Sequence, residues 1–340
     1  MSKKNSNANL DKDFRKKKEI LKIYSSFEHK LNSLKKNILL VAVSGGPDSL
    51  ALTALSKAYS QKNKCKIYYV LIDHNIRKES TKEALSVKKL LKKHNITLNI
   101  LKNKKIINKN IQSQAREVRY DLLATYCRKN KIKTILTAHN LEDQVETFFI
   151  RLSRGSGLHG LSSMKQLNKI KHNIFLYRPL LDIKKNQLIK ITKAVFGKYH
   201  KDPSNNNMKY LRTRIRKLKI ILEKSGISYE QIFRSINNLG SSRDTLDLYF
   251  DGAYSSTVKK KNNQTKIIIK KFNELNKEMK MRVFSKSIKE FTKSYYSPRS
   301  KKIINLIEKL ENKKNIKFTL AGCIILREKA HIIIKKEKKN

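Results

Sequence analysis

Residues 38–55 read ILLVAVSGGPDSLALTAL: six apolar residues run straight into Ser-Gly-Gly-Pro-Asp-Ser, and a second apolar pattern with a different period follows. The first run is a buried strand and the second has helical spacing. A strand that stops at Ser44-Gly45-Gly46 and starts a helix with Pro47 exposes several backbone N–H groups at the positive helix end. The two glycines let an oxygen-rich anion approach that end closely. Pro47 suits the first helical turn because its missing N–H would have had no partner there. The lysine of the G-x-x-x-x-G-K-S/T loop is absent, so this cradle is not that of an ordinary γ-phosphoryl hydrolase. Asp48 and Ser49 add a carboxylate and a hydroxyl suited to Mg²⁺ on the phosphates. The plainer reading is a Gly-rich strand-to-helix turn with a capping serine.

Three further apolar runs, KIYYVLI (66–72), ITLNIL (96–101) and KTILTA (133–138), read as buried strands separated by helical spacing. That alternation predicts βαβ units and a doubly wound parallel sheet. Ligands bind beyond the carboxyl ends of such strands, so the loops after Val43, Ile72 and Ala138 should converge. Helices are expected over 140–153, 184–196 and 211–225, with a polar loop YHKDPSNNNMKY before the last. The tail from about 266 has two amphipathic stretches and ends in the short strands IKFTLAGCIILRE and AHIIIKK, an α+β pattern. The predicted division is a basic N-terminal helical extension (1–36), a catalytic domain (37–217), a helical connecting segment (218–265) and a small C-terminal domain (266–340). The Lys/Asn-rich run VKKKNNQTK (258–266) reads as the linker.

Charge bears on the partner. Lys and Arg number 78 against 27 Asp and Glu, a formal net charge of +51, which suits a polyanion such as nucleic acid. The same excess, with over-used Lys, Asn and Ile, also fits biased codon usage. Apolar runs are far too short to span a bilayer, which predicts no membrane partner. The basic N-terminus lacks the apolar core of a secretory signal. Cys65, Cys127 and Cys323 are widely separated and match no CxxC pattern, so a disulfide framework is not expected and a reducing cytoplasm is.

In a chain this short of acids, EDQVE clusters Glu142, Asp143 and Glu146, with Asp143 and Glu146 sharing a helix face just beyond a strand end. Such a cluster can hold Mg²⁺, receive an ammonium group, or simply stabilise a helix start. His139 can orient a nucleotide, assist proton transfer or serve structure. Asp73 and His74, at another strand end, suit the shaping of a nucleotide pocket. Arg116 and Arg119 lie at i, i+3 in SQAREVRY and can present planar donors to phosphate. RTRIRKLK (212–219), beside Tyr210, is dense enough in charge to contact an RNA backbone through Arg212, Arg214 and Arg216.

These stretches carry a resemblance. SGGPDS resembles the pyrophosphate loop (PP-loop) of the N-type ATP pyrophosphatases. Within them DHNIRKES (73–80), NIQSQAREVRY (110–120), TAHNLEDQVETFFIRLSRGSGLHGLSSM (137–164), YRPLL (177–181) and KDPSNNNMKYLRTRIR (201–216) resemble blocks of the tRNA(Ile)-lysidine synthetases. The match covers about residues 36–220; beyond 265 only YYSPRS and TLAGC are similar. It departs at Asn75, where glycine is usual, at Asn140 and Glu142, where His and Asp are more frequent, and at Thr213, where Asn is common.

The resemblance implies an adenine nucleotide alpha hydrolase-like fold and an ATP-dependent ligase that joins free L-lysine to C2 of an anticodon cytidine of tRNA(Ile) with a CAU anticodon. It implies ATP and Mg²⁺ as cofactors and admits a homodimer. ATP would lie on Ser44, Gly45, Gly46, Pro47, Asp48, Ser49, Asp73, His74 and His139, with Mg²⁺ on Asp48 and Asp143 and the lysine on Asp143 and Glu146. Asp48, Arg116, Asp143 and Glu146 would carry catalysis; Arg119, Arg212, Arg214 and Arg216 would bind tRNA. A thiolating pyrophosphatase would share the loop but usually brings paired cysteines. A non-catalytic RNA-binding module would explain the charge but not the polar loops at three strand ends. GSGLHG (155–160) fits G-x-G-x-x-G but follows a helical stretch rather than a strand, so it is not a dinucleotide loop.

Overall fold

The structure, a computed structural model, describes residues 17–75, 79–103, 111–200, 208–261, 263–292, 298–312 and 317–337. They fall into two compact units, 1–237 and 238–340. The first begins with helix α1 (Lys18–Ser33) and then alternates β1 (Ile38–Val43), α2 (Pro47–Lys62), β2 (Lys66–Asp73), α3 (Ser80–Lys92), β3 (Leu98–Lys102), α4 (Ile111–Lys129), β4 (Thr134–Leu136) and α5 (Leu141–Leu152). A one-turn α6 (Leu158–Leu161), a hairpin of β5 (Leu167–Lys169) and β6 (Phe175–Tyr177), α7 (Lys185–Phe196), α8 (Leu211–Lys224) and the start of α9 (Tyr229–Thr257) follow.

The strands form one sheet in the order β3-β2-β1-β4-β6-β5, parallel except where β5 runs against β6. β1 pairs with β2 on one side and β4 on the other, so the chain reverses its winding at β1. In open α/β sheets ligands bind in the crevice at that point. Here it brings the loop after β1 beside the loop after β4. Leu39, Leu40 and Val41 are almost wholly buried, as a strand covered on both faces requires. α1 buries Ile20, Ile23, Phe27 and Leu31, at spacings of one helical turn, in the same core. The expected N-terminal extension is therefore core at 18–33, while residues 1–16 lie outside the described ones.

The second unit holds the rest of α9, then β7 (Val258–Lys261), β8 (Gln264–Ile268), α10 (Ile269–Asn273), α11 (Lys277–Thr292), α12 (Ser300–Asn312), β9 (Lys317–Leu320), β10 (Cys323–Arg327) and β11 (His331–Lys336). Its antiparallel sheet runs β7-β8-β11-β10-β9 over a core that includes Phe272, Phe284, Ile288, Ile325 and Ile334. One expectation is corrected here: VKKKNNQTK is not a linker but the β7–β8 hairpin. β7 is an edge strand whose Lys259, Lys260 and Lys261 are exposed, and edge lysines that deter strand addition read locally as a solvated linker. The segment 218–265 is shared between the two units, the boundary falling inside α9. No described helix is long and apolar enough to cross a membrane.

Gly45 shows how tightly the central turn is made. Its φ is +83°, and a Cβ there would stand 2.6 Å from Cγ2 of Val87 on α3. Gly45→Ala is expected to destabilise the first unit by about 1–3 kcal/mol through the backbone alone, and more through the clash with a stiff valine. Denaturant unfolding of the full chain checks this; an unchanged midpoint would remove the turn from the constraints on the fold.

Candidate active site

The turn after β1 is shaped by its own hydroxyls. Ser49 Oγ accepts from Ser44 N and Ser44 Oγ, both at 3.1 Å, and donates to the Gly46 carbonyl at 3.0 Å. Ser49 is buried, and its hydroxyl is engaged within the loop. Gly46 caps α2 with φ −74° and ψ 165°, and Pro47 follows at the first turn. The nearest atom to a Cβ on Gly46 would be Ser44 Oγ at 3.8 Å, so open space lies over this helix end. The loop is pinned from behind: Thr192 Oγ1 of α7 donates to the Pro47 carbonyl at 2.6 Å, and His200 N donates to the Gly45 carbonyl at 3.1 Å.

Asp48 stands out chemically. Its Oδ1 is buried and has no hydrogen-bond partner. Burial pushes its carboxyl up to about 6; Lys185 and an Asn140 hydrogen bond oppose the shift, and Asp143 and Glu142 add to it. A buried, unsatisfied carboxylate oxygen beside other carboxylates fits a cation. Among the described residues no three His, Cys, Asp or Glu side chains could hold a metal by themselves. A divalent ion on Asp48 would thus complete its shell with substrate oxygens, as Mg²⁺ does on phosphates.

The acidic run starts α5, on the other side of the switch point. Asn140 is its N-cap in a reciprocal capping box: Asn140 Oδ1 accepts from Asp143 N at 2.9 Å, and Asp143 Oδ2 accepts from Asn140 N at 3.1 Å. Glu142 turns away, its Oε2 accepting from Lys185 N at 2.8 Å at the start of α7. Asp143 and Glu146 meet α8. Arg212 spans both, Nε to Glu146 Oε2 at 2.5 Å and Nη2 to Asp143 Oδ1 at 2.6 Å, and Arg216 Nε reaches Glu146 Oε1 at 2.6 Å. The Glu146 side chain is only 4% exposed. Leu141 and Val145 of α5 pack with Leu222 of α8 and with Tyr229, Ile232 and Ile236 of α9 beneath these pairs. Arg212 and Arg216 therefore face the carboxylates, not outward as an RNA-contact role had suggested; Arg214 is the exposed member of the three. Thr213 is buried on the same helix.

At the end of β2, Asp73 is consumed by its own loop. Its oxygens accept from Asn75 N (3.0 Å), Ser80 Oγ (2.9 Å) and Thr81 Oγ1 (2.6 Å), which hold its carboxyl low against the opposing effect of burial. Asn75 takes the left-handed conformation, φ 51°, which explains why an asparagine can replace the usual glycine. Arg119 donates to His74 Nε2 at 3.3 Å, and burial with that neighbouring charge drops the imidazole to about 4. Arg116 stacks over Tyr120, 5.2 Å from the ring centre. His139, whose Nδ1 lies 3.0 Å from Thr137 Oγ1, is held neutral by burial and by the charges of Arg178, Arg116, Arg212 and Arg119. Arg178, 4% exposed, was not singled out from sequence, nor was Tyr229, whose hydroxyl is buried without a partner close to Glu146 and Glu142. GSGLHG leads into α6 after a helix, with Arg151 Nη1 donating to the Gly160 and Ser163 carbonyls.

A family model described as the PP-loop domain matches residues 17–222. The tRNA(Ile)-lysidine synthase of Wolbachia pipientis wMel is 35% identical over 320 residues, covering 92% of this chain and 74% of that one. The chain belongs to the tRNA(Ile)-lysidine synthase family. The lysidine synthase of Rickettsia typhi strain Wilmington is 30% identical over 325 residues, with 93% and 74% of the two chains covered. Among solved structures, the U34-tRNA thiolase NcsA of Methanococcus maripaludis aligns with a TM-score of 0.55 at 20% identity over 65% of this chain and 79% of that one, a likeness of fold. The lysidine synthase matches extend beyond the PP-loop region and so take in the second unit as well.

Two outcomes test the geometry. Gly46→Ala has room and an ordinary φ, so stability should fall by no more than about 1 kcal/mol, the cost of alanine at an N-cap, while ATP affinity, measured calorimetrically, falls at least about tenfold. Because Asp48 is raised in the folded state, its stabilising contribution is complete below the ordinary value of 3.8 and is lost as pH rises through about 6. Asp48→Asn should therefore gain stability over wild type on going from acid to neutral pH, by on the order of 2 kcal/mol. Unfolding free energies at the two ends of that window check it; a difference that does not change with pH counts against the assignment.

Proposed function

We propose that the chain uses ATP to join free L-lysine to C2 of an anticodon cytidine in tRNA(Ile) bearing CAU, forming lysidine. The observation that carries this reading is the meeting, at one sheet switch point, of an anion cradle (44–49) and a carboxylate pair (Asp143, Glu146) in a lysidine synthase family member. The pyrophosphate of ATP would lie on the N–H groups at Gly46 and the open α2 end. O2 of the cytidine attacks the α-phosphate and pyrophosphate leaves; once a base has taken a proton from the lysine ammonium, the ε-amine attacks C2 and the C2–O2 bond breaks, so that AMP leaves carrying O2. No covalent enzyme intermediate is needed, so the protein positions groups and balances charge.

Asp48, with Asp143, would hold Mg²⁺, which when bound supplies positive charge to the departing pyrophosphate. His139, neutral at physiological pH, is suited to hydrogen bonding with nucleotide and not to charge neutralisation. Arg116 and Arg119, on the same face of α4, would support the adenylated base. Lysine would be received at Asp143 and Glu146. Of the α8 arginines, Arg214 is the exposed one and would meet an RNA backbone without leaving a carboxylate, and residues 37–217 would form the catalytic domain. A thiolating role finds little support: Cys65, Cys127 and Cys323 are buried free thiols on separate segments. Free thiols suit a reducing cytoplasm.

Pyrophosphate release that requires both lysine and tRNA(Ile) is the decisive assay. Asp48→Asn should abolish it and leave tRNA binding nearly intact; wild-type turnover in that variant would sink the role given to Asp48. Arg214→Ala should weaken tRNA binding and lower its salt slope by about one, with ATP affinity unchanged. An unaltered slope would move the tRNA surface elsewhere.

A further inference from the structure

The carboxylates that should receive the lysine ammonium already hold cations. One guanidinium edge of Arg212 bonds an oxygen of each, Asp143 Oδ1 and Glu146 Oε2, while Arg216 separately holds Glu146 Oε1. We propose that Arg212 is an exchangeable plug: its guanidinium fills the Asp143–Glu146 pair in the substrate-free enzyme, and a substrate phosphate draws it away, so that lysine is admitted only to the loaded enzyme.

This rests on the lysidine reading of the site, and four observations support it. A guanidinium prefers bidentate oxyanions such as phosphate, whereas an ammonium is a compact charge that suits two separate carboxylate oxygens, so the two cations can exchange sites. Arg212 is in the first turn of α8 with 38% of its side chain exposed, so it has room to turn. The phosphate cradle is near: Asp48 on α2 lies within electrostatic reach of Asp143, Glu142 and Asn140 at the start of α5. Arg216 stays on Glu146 when Arg212 departs, so the buried carboxylate is never left without a cation. The exchange leaves Asp143 Oδ1 and Glu146 Oε2 as two acceptors facing one position, where an ammonium with three donors fits. The sequence separation of 66 and 69 residues between Arg212 and its two partners makes this a tertiary contact and not a local helix pair.

The phosphate can come from ATP or from the RNA backbone. Equilibrium binding of labelled L-lysine to the full chain separates them in three arms: protein alone, protein with Mg²⁺ and a non-hydrolysable ATP analogue, and protein with tRNA(Ile) transcript. Wild type should bind lysine at least about tenfold more tightly in one of the loaded arms than alone, and the arm that does so identifies the phosphate. Arg212→Gln, which keeps hydrogen-bonding capacity but removes the charge, should bind lysine without either partner as tightly as loaded wild type and gain nothing further. Equal wild-type affinity in all three arms overturns the plug, even if the variant folds poorly. Unchanged lysine affinity in a well-folded Arg212→Gln protein also overturns it. Lysidine formation by the same wild-type preparation keeps the two readings apart. Product with flat lysine affinities removes the plug alone, whereas no product from tRNA(Ile), ATP and lysine removes the reaction on which it rests.

Discussion

Glu146 is a carboxylate buried within a helix interface, and taking such a group out of water costs several kcal/mol unless cations come to it. Arg212 and Arg216, one turn apart on α8, are those cations. Much of the site's arrangement follows from that requirement. The pairs hold the most basic helix of the first unit against α5, whose first residues stand at the carboxyl end of β4. The apolar contacts of Val145, Leu222 and Ile236 beneath them exclude water and strengthen the pairing. A helix that the net charge of +51 would place in solvent is thereby brought to the crevice at the sheet's switch point.

The opposing constraint lies across the crevice. Asp48 is buried with an unsatisfied oxygen; Lys185 offsets part of the effect of burial, and Asp143 and Glu142 add to it, so that the α2 side is dominated by carboxylates and the α8 side by arginines. Around His139 the neighbouring charges have the opposite sign: burial first, and then the charges of Arg178, Arg116, Arg212 and Arg119, keep the imidazole neutral.

How much of this the sequence revealed depended on the range of the interactions. The turn at 44–49, the first four strands and the start of α5 were legible because each is encoded by neighbours: an apolar run, a proline at N1, an Asn-x-x-Asp box. β5 and β6, three residues each, carry too short a pattern to register, and the lysine-rich β7 imitates a linker because an exposed edge strand and a solvated loop favour the same residues. Ser49 and Asp73 lie in the loops at the strand ends, and their side chains hydrogen-bond within those loops. A hydroxyl or carboxylate that builds a turn looks the same in sequence as one that binds a ligand.

The arginines of α8 mark the limit most clearly. Their density suggested a face for RNA, because a run of basic residues on a helix has no local feature that tells a partner in solvent from one in the fold. The deciding fact is that the acids of this chain are few, 27 in all, and that three of them begin one helix. With so many more cations than anions, each buried acid can choose among basic partners, and the choice is settled by which helix the apolar packing brings within reach. Leu222 and Tyr229 make that choice for α8 by packing on α5, and Arg212 and Arg216 then fall on Asp143 and Glu146 while Arg214, set between them at 100° per residue, is left to solvent. Charge composition thus speaks only to the class of partner, and packing geometry decides which of these charges remain exposed.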